Sequence, residues 1–280
     1  RWHGALKVFT FMTQSLDRIA AAFARAAEQK RAALVPYIAA GNPLPATTVP
    51  LMHALVKAGA DVIELGIPFS DPQADGPVIQ RASSEALQRG ATLNGILDGI
   101  RALDVEVPVV VMCYYNSVFR VGHERFANTI AAAGVSGAIV PDLPLEEATD
   151  WCVAADAAAV ATVMLAAPTA PDERLPRIAA RSRGFVYAVG LLGVTGERES
   201  LSASATTIAR RIKHITDLPV LVGVGISDAK QAQQACAVAD GVIQGASVMR
   251  RLLDEGVDSV GEYIAQVRAA IDLVPAACTG

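Results

Sequence analysis

Aromatic residues make up only 5% of this 280-residue chain, so its core has to be built from aliphatic side chains rather than stacked rings. Lysine is also scarce. Lys7, Lys30, Lys57, Lys213 and Lys230 fall in a terminal tail, in helical stretches or at a helix start. None closes a strand, so neither a Schiff-base aldolase nor a lysine-bound pyridoxal phosphate (PLP) is expected in this chain. No basic run with interleaved aromatics occurs, and the net charge is -4, which argues against tracking a nucleic-acid backbone. The longest nearly apolar stretch, 157–167, is too short to span a bilayer. No charged and then apolar leader opens the chain, and the reading is a soluble, cytoplasmic protein. Cys113, Cys152, Cys236 and Cys278 lie far apart with no C-x-x-C pair, which fits buried free thiols. His3, His53, His123 and His214 show no ligand spacing, so no metal site is expected.

What is present is apolar and regular. Hydrophobic residues are 52% and charged residues 19% of the chain, a balance that fits a compact protein with many buried strands. Short aliphatic runs at 34–39, 61–65, 108–113, 137–140, 160–165, 184–189, 219–223 and 241–244 alternate with stretches of helical periodicity such as 49–57, 78–88, 124–132 and 206–215. Eight βα units favour an α/β fold of the (β/α)8, or TIM barrel, type; an open doubly wound sheet is the alternative. Ser15 is placed to cap an extra helix from Leu16 to about Gln29, with Ile19, Phe23 and Ala26 on one stripe, which would close the barrel floor. Residues 1–14 read as a tail or leader, with Met12 a candidate start, 15–273 as one barrel domain and 274–280 as a C-terminal tail.

In such a barrel, chemistry sits at the C-terminal ends of the strands. Within Asp61-Val-Ile-Glu-Leu-Gly66, alternation puts Val62 and Glu64 on one face and Ile63 and Leu65 on the other, so Glu64 points into the barrel mouth if Ile63 and Leu65 meet the helices. Burial raises the pKa of such a carboxyl and suits it to general acid–base work. The following loop brings Asp71 and Asp75, is stiffened by Pro68, Pro72 and Pro77, and leads into a helix near Val78. Each carboxylate alone could equally bind an arginine or cap a turn.

The far end of the site reads as an anion receptor. Gly223-Val-Gly-Ile-Ser227 ends the seventh strand and Gly245-Ala-Ser247 follows the eighth, where glycines let backbone N–H groups approach and a helix starting near Ala246 adds its dipole. The long loop from Leu191 to about Ser204, with Gly193, Thr195, Gly196 and Glu197-Arg-Glu199, reads as a lid.

The string Glu64-Leu-Gly-Ile-Pro-Phe-Ser-Asp-Pro-Gln-Ala-Asp-Gly-Pro77 closely resembles the signature segment of tryptophan synthase α subunits. The resemblance runs on through Pro36-Tyr-Ile-Ala-Ala-Gly-Asn-Pro43, Tyr114-Tyr-Asn116, Pro141-Asp-Leu-Pro144, Gly193-Val-Thr-Gly196 and Gly223-Val-Gly-Ile-Ser227, in the family's order. It implies a lyase that cleaves indole-3-glycerol phosphate to indole and glyceraldehyde 3-phosphate in tryptophan biosynthesis. It further implies Glu64 as general acid and base, and Asp75 as acceptor of the indole N–H. By the same resemblance, Tyr37, Tyr114, Tyr187, Thr195 and Gly196 bind substrate, beside the anion receptor that the two glycine loops suggest at Gly225, Gly245, Ala246 and Ser247. Asp71, Pro72, Asn116 and Pro144 would meet a β subunit in an α2β2 complex, with PLP held only by that β subunit.

Three positions depart from the family's pattern. Gln73 stands where an aliphatic residue is common, Leu192 where a small or polar one is, and Ala246 where a serine offers its hydroxyl to the phosphate, a loss of about 0.5–1.5 kcal/mol unless Ser247 reaches round. A stand-alone lyase and a non-catalytic barrel that only activates a partner are the competing readings; retention of both Glu64 and Asp75 argues against the second.

Overall fold

The computed structural model describes residues 18–190, 203–223 and 225–274. Eight parallel strands close into a barrel in chain order: β1 (Ala33–Ala39), β2 (Ile63–Gly66), β3 (Val109–Met112), β4 (Val135–Ile139), β5 (Ala161–Ala166), β6 (Val186–Val189), β7 (Val220–Gly223) and β8 (Gly241–Gln244). The β1–β8 pairing, Ala33 against Gly241 through Pro36 against Gln244, completes the closure and excludes the open sheet. Around it, after a first helix α1 (18–28), run α2 (Thr48–Lys57), α3 (Pro77–Gln88), α4 (Leu93–Arg101), α5 (Tyr115–Val121), α6 (His123–Ala132), α7 (Thr149–Ala157), α8 (Leu175–Arg181), α9 (Ala203–Lys213), α10 (Ala229–Cys236), α11 (Ala246–Asp254) and α12 (Val257–Ile271).

The period-two alternation of the strands separates two cores. Outward residues such as Leu34, Ile63, Leu65, Val109, Val111 and Val220 pack against the helices. Inward residues, among them Val35, Val62, Val110, Ile139, Val163 and Leu221, fill the barrel, so the interior is packed rather than hollow. The floor is stoppered by α1. Its Ile19, Ala22, Phe23 and Ala26 recur at helical spacing and are buried in the same interior cluster, and Phe23 meets Phe185 edge to face at 5.7 Å. The expected extra helix is therefore present; its cap at Ser15 lies outside the described residues.

Two acidic residues brace the lower rim. Asp61, read from sequence as the first residue of the second strand, precedes β2 instead. Its carboxylate takes both guanidinium nitrogens of Arg31 at 2.6 and 2.7 Å, the Leu34 N–H at 2.9 Å and Arg268 of α12 at 3.2 Å. Asp240, just ahead of β8, accepts from Lys213 at 2.7 Å and from the Val220 N–H at 2.8 Å. Each carboxylate thus satisfies a buried or part-buried N–H near a strand start, and its charge is offset by the cations paired with it.

Of the cysteines, Cys113, Cys152 and Cys236 are buried and free, as the spacing suggested, and Cys278 lies outside the described residues. Among the described residues, no helix is long and apolar enough to cross a membrane, and no cluster of three or more His, Cys, Asp or Glu is placed to hold a metal ion.

Candidate active site

At the upper rim, β2 places Glu64 where alternation requires it. Val62 belongs to the interior cluster and Ile63 and Leu65 to the outer one, so Glu64 faces the barrel mouth. It is 2% exposed, and its Oε2 has no hydrogen-bond partner among the described residues. Burial pushes its carboxyl up to about 8, and the charge of Asp75 adds to the rise. An unpaired buried carboxyl of this kind stays protonated at neutral pH and can give up that proton during a reaction.

The loop from Ile67 to Gly76 folds back on itself through Gln73 N–H to Asp71 O at 2.9 Å and Asp75 N–H to Pro72 O at 3.0 Å. Gly76 then leads directly into α3, whose first residue is Pro77. Tyr114, just ahead of α5, clamps the loop from the neighbouring unit: its hydroxyl donates to Asp75 Oδ2 at 2.9 Å and accepts from the Ala74 N–H at 3.1 Å. Its ring stacks on Phe69 with centroids 5.0 Å apart. Burial pushes Asp75 up to about 6, and the Tyr114 hydrogen bond pulls it back. Near pH 7 the two carboxyls therefore hold different states, Glu64 mostly protonated and Asp75 mostly charged.

By alternation Tyr37 lies on the same face of β1 as the inward Val35, and Tyr187 belongs to the interior cluster from β6. Tyr37 pairs in register with Glu64. Both phenols are pushed well up, by burial first and then by the nearby charges of Glu64 and Asp75. Each lies over a glycine that ends a neighbouring strand: a Cβ on Gly66 would come 2.1 Å from the Tyr37 hydroxyl, and one on Gly223 would come 2.1 Å from the Tyr187 hydroxyl. Only glycine leaves room for these rings.

On the rim between β6 and β1, Gly225 follows β7 with φ +85° and open space where a Cβ would be, a backbone conformation that favours glycine. Gly245 precedes α11, whose N-terminus carries no side-chain cap, so its first N–H groups are unclaimed by the helix. Ala246 is exposed there and Ser247 is buried. The Ser247 hydroxyl turns beneath the helix to the Ile226 carbonyl at 3.3 Å. It does not make good the hydroxyl that Ala246 lacks, contrary to one sequence-based option.

The structure thus brings Glu64, Asp75, Tyr37, Tyr114 and Tyr187 around the barrel mouth, with Tyr187 on β6 across from Glu64 on β2, and sets Gly225, Gly245, Ala246 and Ser247 on the loops after β7 and β8. Thr195, Gly196 and Leu192, with the lid stretch 191–202, lie outside the described residues. Of the expected partner-facing residues, Asp71, Asn116 and Pro144 are exposed, as is Gln73, while Pro72 is buried within the chain itself. Its carbonyl accepts the Asp75 N–H that closes the turn. Sequence reading grouped Tyr114 with the pocket but gave no sign of its bond to Asp75, and it missed Phe69 beneath it.

Known proteins share the sequence pattern and fold of this chain. The sequence profile of the family described as tryptophan synthase alpha chain matches residues 23–272. A tryptophan synthase alpha chain from Burkholderia mallei (strain NCTC 10229) is 44% identical over 265 residues, covering 92% of this chain and 97% of that relative. One from Bordetella pertussis is 47% identical over 250 residues, covering 87% of each. Among solved structures, Mycobacterium tuberculosis tryptophan synthase superposes with a TM-score of 0.85 at 38% identity, covering 91% of this chain and 98% of that one. The alpha chain from Legionella pneumophila subsp. pneumophila gives 0.83 at 35% identity, covering 91% and 97%.

Proposed function

The chain belongs to the tryptophan synthase alpha chain family, and from that premise we propose how its residues divide the work of the family's reaction. That reaction is a lyase step of tryptophan biosynthesis: indole-3-glycerol phosphate is cleaved to indole and glyceraldehyde 3-phosphate by an alpha subunit in complex with a β subunit.

In this reading Glu64 begins protonated. It delivers its proton to the indole ring carbon that bears the glycerol chain, and the ring becomes cationic. As carboxylate it then removes the proton from the side-chain hydroxyl next to the scissile bond. The electron pair of the broken O–H bond becomes the second bond of the new carbonyl, the C–C bond breaks, and its electron pair returns to the ring. One proton has left Glu64 and one has come back, so the enzyme is ready for another turnover. Asp75, charged near pH 7, accepts the indole N–H with the oxygen that Tyr114 leaves free and offsets the positive charge as it develops. Tyr37 and Tyr187 flank the ring. Backbone N–H groups around Gly225, Gly245, Ala246 and Ser247 receive the phosphate at the other end, with Thr195 and Gly196 contributing from the lid.

The observation that carries this assignment is the buried Glu64 carboxyl, without a cation among the described residues and raised to about 8, beside an Asp75 raised only to about 6. The scheme uses no cofactor in this chain; PLP is assigned to the β subunit of an α2β2 complex. Asp71, Asn116 and Pro144 offer exposed contacts to that partner, and Pro72 shapes the loop that presents Asp71. The domain reading is one barrel over 15–273 with short tails, and the setting is cytoplasmic.

The direct test is indole release from indole-3-glycerol phosphate by the purified chain, alone and with a β subunit. Release that rises on adding the β subunit supports the reading. Equal rates with and without it would favour a stand-alone lyase, and no release under either condition would overturn the catalytic assignment.

A further inference from the structure

The loops after β7 and β8 are joined by a side chain from a distant part of the sequence. Tyr263, on α12, is 5% exposed, and its hydroxyl donates to the Ser227 carbonyl at 3.1 Å. The Arg251 guanidinium, one turn beyond Ser247 on α11, lies 4.0 Å from the centre of the Tyr263 ring, a cation–π contact. One residue of α12 therefore grips α11 with its ring and the loop after β7 with its hydroxyl. The Ser247 hydroxyl makes a second tie to the same loop at Ile226, and Gln231 makes a third, accepting from the Ser227 N–H at 2.7 Å. Beneath them Gln244, the last residue of β8, is fully buried, with its amide beside the Tyr263 hydroxyl. Burial pushes the Tyr263 phenol up, against the pull of Ser247, Arg251 and Gln244 beside it, so the hydroxyl stays a donor across the neutral range.

The placement matters because of what the anion end lacks. Ala246 has no hydroxyl, Ser247 turns its own to Ile226, and among the described residues no side chain caps the N-terminus of α11. A receptor built from backbone N–H groups on two separate loops is only as good as the spacing between those loops, since small misplacements weaken bonds to a fixed ligand steeply. We propose that Tyr263 is a positioning residue for phosphate binding, holding the loop after β7 and the start of α11 at the separation that lets both address one phosphate group. The proposal rests on reading these loops as the phosphate receptor.

The test uses the full chain with its β subunit and the variant Tyr263→Phe, which keeps the ring and its contact to Arg251 and removes only the hydroxyl. Loss of one neutral hydrogen bond is expected to raise KM for indole-3-glycerol phosphate about three- to tenfold. The inhibition constant for inorganic phosphate rises by the same factor, and kcat stays within about twofold. Ser247→Ala, which cuts the second tie, moves both constants the same way by a smaller factor. Unchanged constants in both variants, measured below their melting temperatures, would mean that the tyrosine only packs the helix, and would overturn the proposal. So would a fall in kcat at constant KM. If the parent chain itself is insensitive to inorganic phosphate, the receptor reading falls first, and the comparison of parent with variant tells the two failures apart.

Discussion

Asp61 and Glu64 lie three positions apart in the sequence, both are buried, and their surroundings are opposite. Asp61, at the floor of the barrel, is enclosed by Arg31, Arg268 and the Leu34 N–H. Glu64, at the mouth, has no cation beside it among the described residues, and the nearest charge acting on it is another carboxylate. At the floor, buried charge is neutralised and serves stability. At the mouth it is left unneutralised, so that the carboxyl keeps its proton until a substrate arrives. A short stretch of chain thus carries both solutions to the same desolvation problem, one at each end of a strand.

The contrast is sharpest at Glu64. Glu64→Gln is expected to lower kcat for indole release by at least about 10², while the same variant gains stability. The unfolded carboxyl ionises near 4.5 and the folded one near 8, so the parent loses stability as pH rises between those values. The variant's melting temperature therefore exceeds the parent's at pH 8, and the gap closes as pH falls toward 4.5. Thermal melts at several pH values check this; a gap that widens toward low pH would show that Glu64 is stabilised as the anion.

Asp61→Ala breaks the comparison from the other side. Two arginines that now share one carboxylate would be left near the barrel floor, and a loss of about 3 kcal/mol in denaturant unfolding is expected, with kcat within about twofold of the parent. A large fall in kcat at full stability would mean that the floor is coupled to the mouth.

The smallest effect is expected at Tyr114. With Asp75 required as anion and Glu64 as acid, kcat/KM rises through about pH 6 and falls through about pH 8. Tyr114→Phe removes the bond that favours the Asp75 anion, so the acid limb moves upward by about one unit, the lower end of what a hydrogen bond to a charged group contributes. The alkaline limb stays in place. A downward shift of the acid limb would assign it to another group.

The sequence made the repetitive parts of this molecule readable. Eight aliphatic runs fall within a few residues of eight strands, and the alternation at Val62 to Leu65 is enough to aim Glu64, because a strand has only two faces. Asp61 was read as part of that strand because polarity alone does not say whether a carboxylate continues a strand or turns to pair with residues such as Arg268, far along the chain. The same limit hides Tyr114 over Asp75 and Tyr263 beneath Ser227: each is a contact between units, set by barrel closure rather than by any local pattern. Ser247 shows a finer limit, since its position beside Ala246 was clear and the direction of its hydroxyl was not.

The rings of Tyr37 and Tyr187, resting on Gly66 and Gly223, also constrain how this barrel can diverge. Removing the Tyr37 hydroxyl alone would not free the neighbouring position, because a Cβ on Gly66 would still meet the ring carbon Cζ at 2.6 Å. A lineage that acquires a side chain at residue 66 must therefore already carry a smaller residue at 37, and the same order applies to 223 and 187. These pairs are ratchets in the history of the protein: the tyrosine has to be given up first, and until it is, the glycine cannot change.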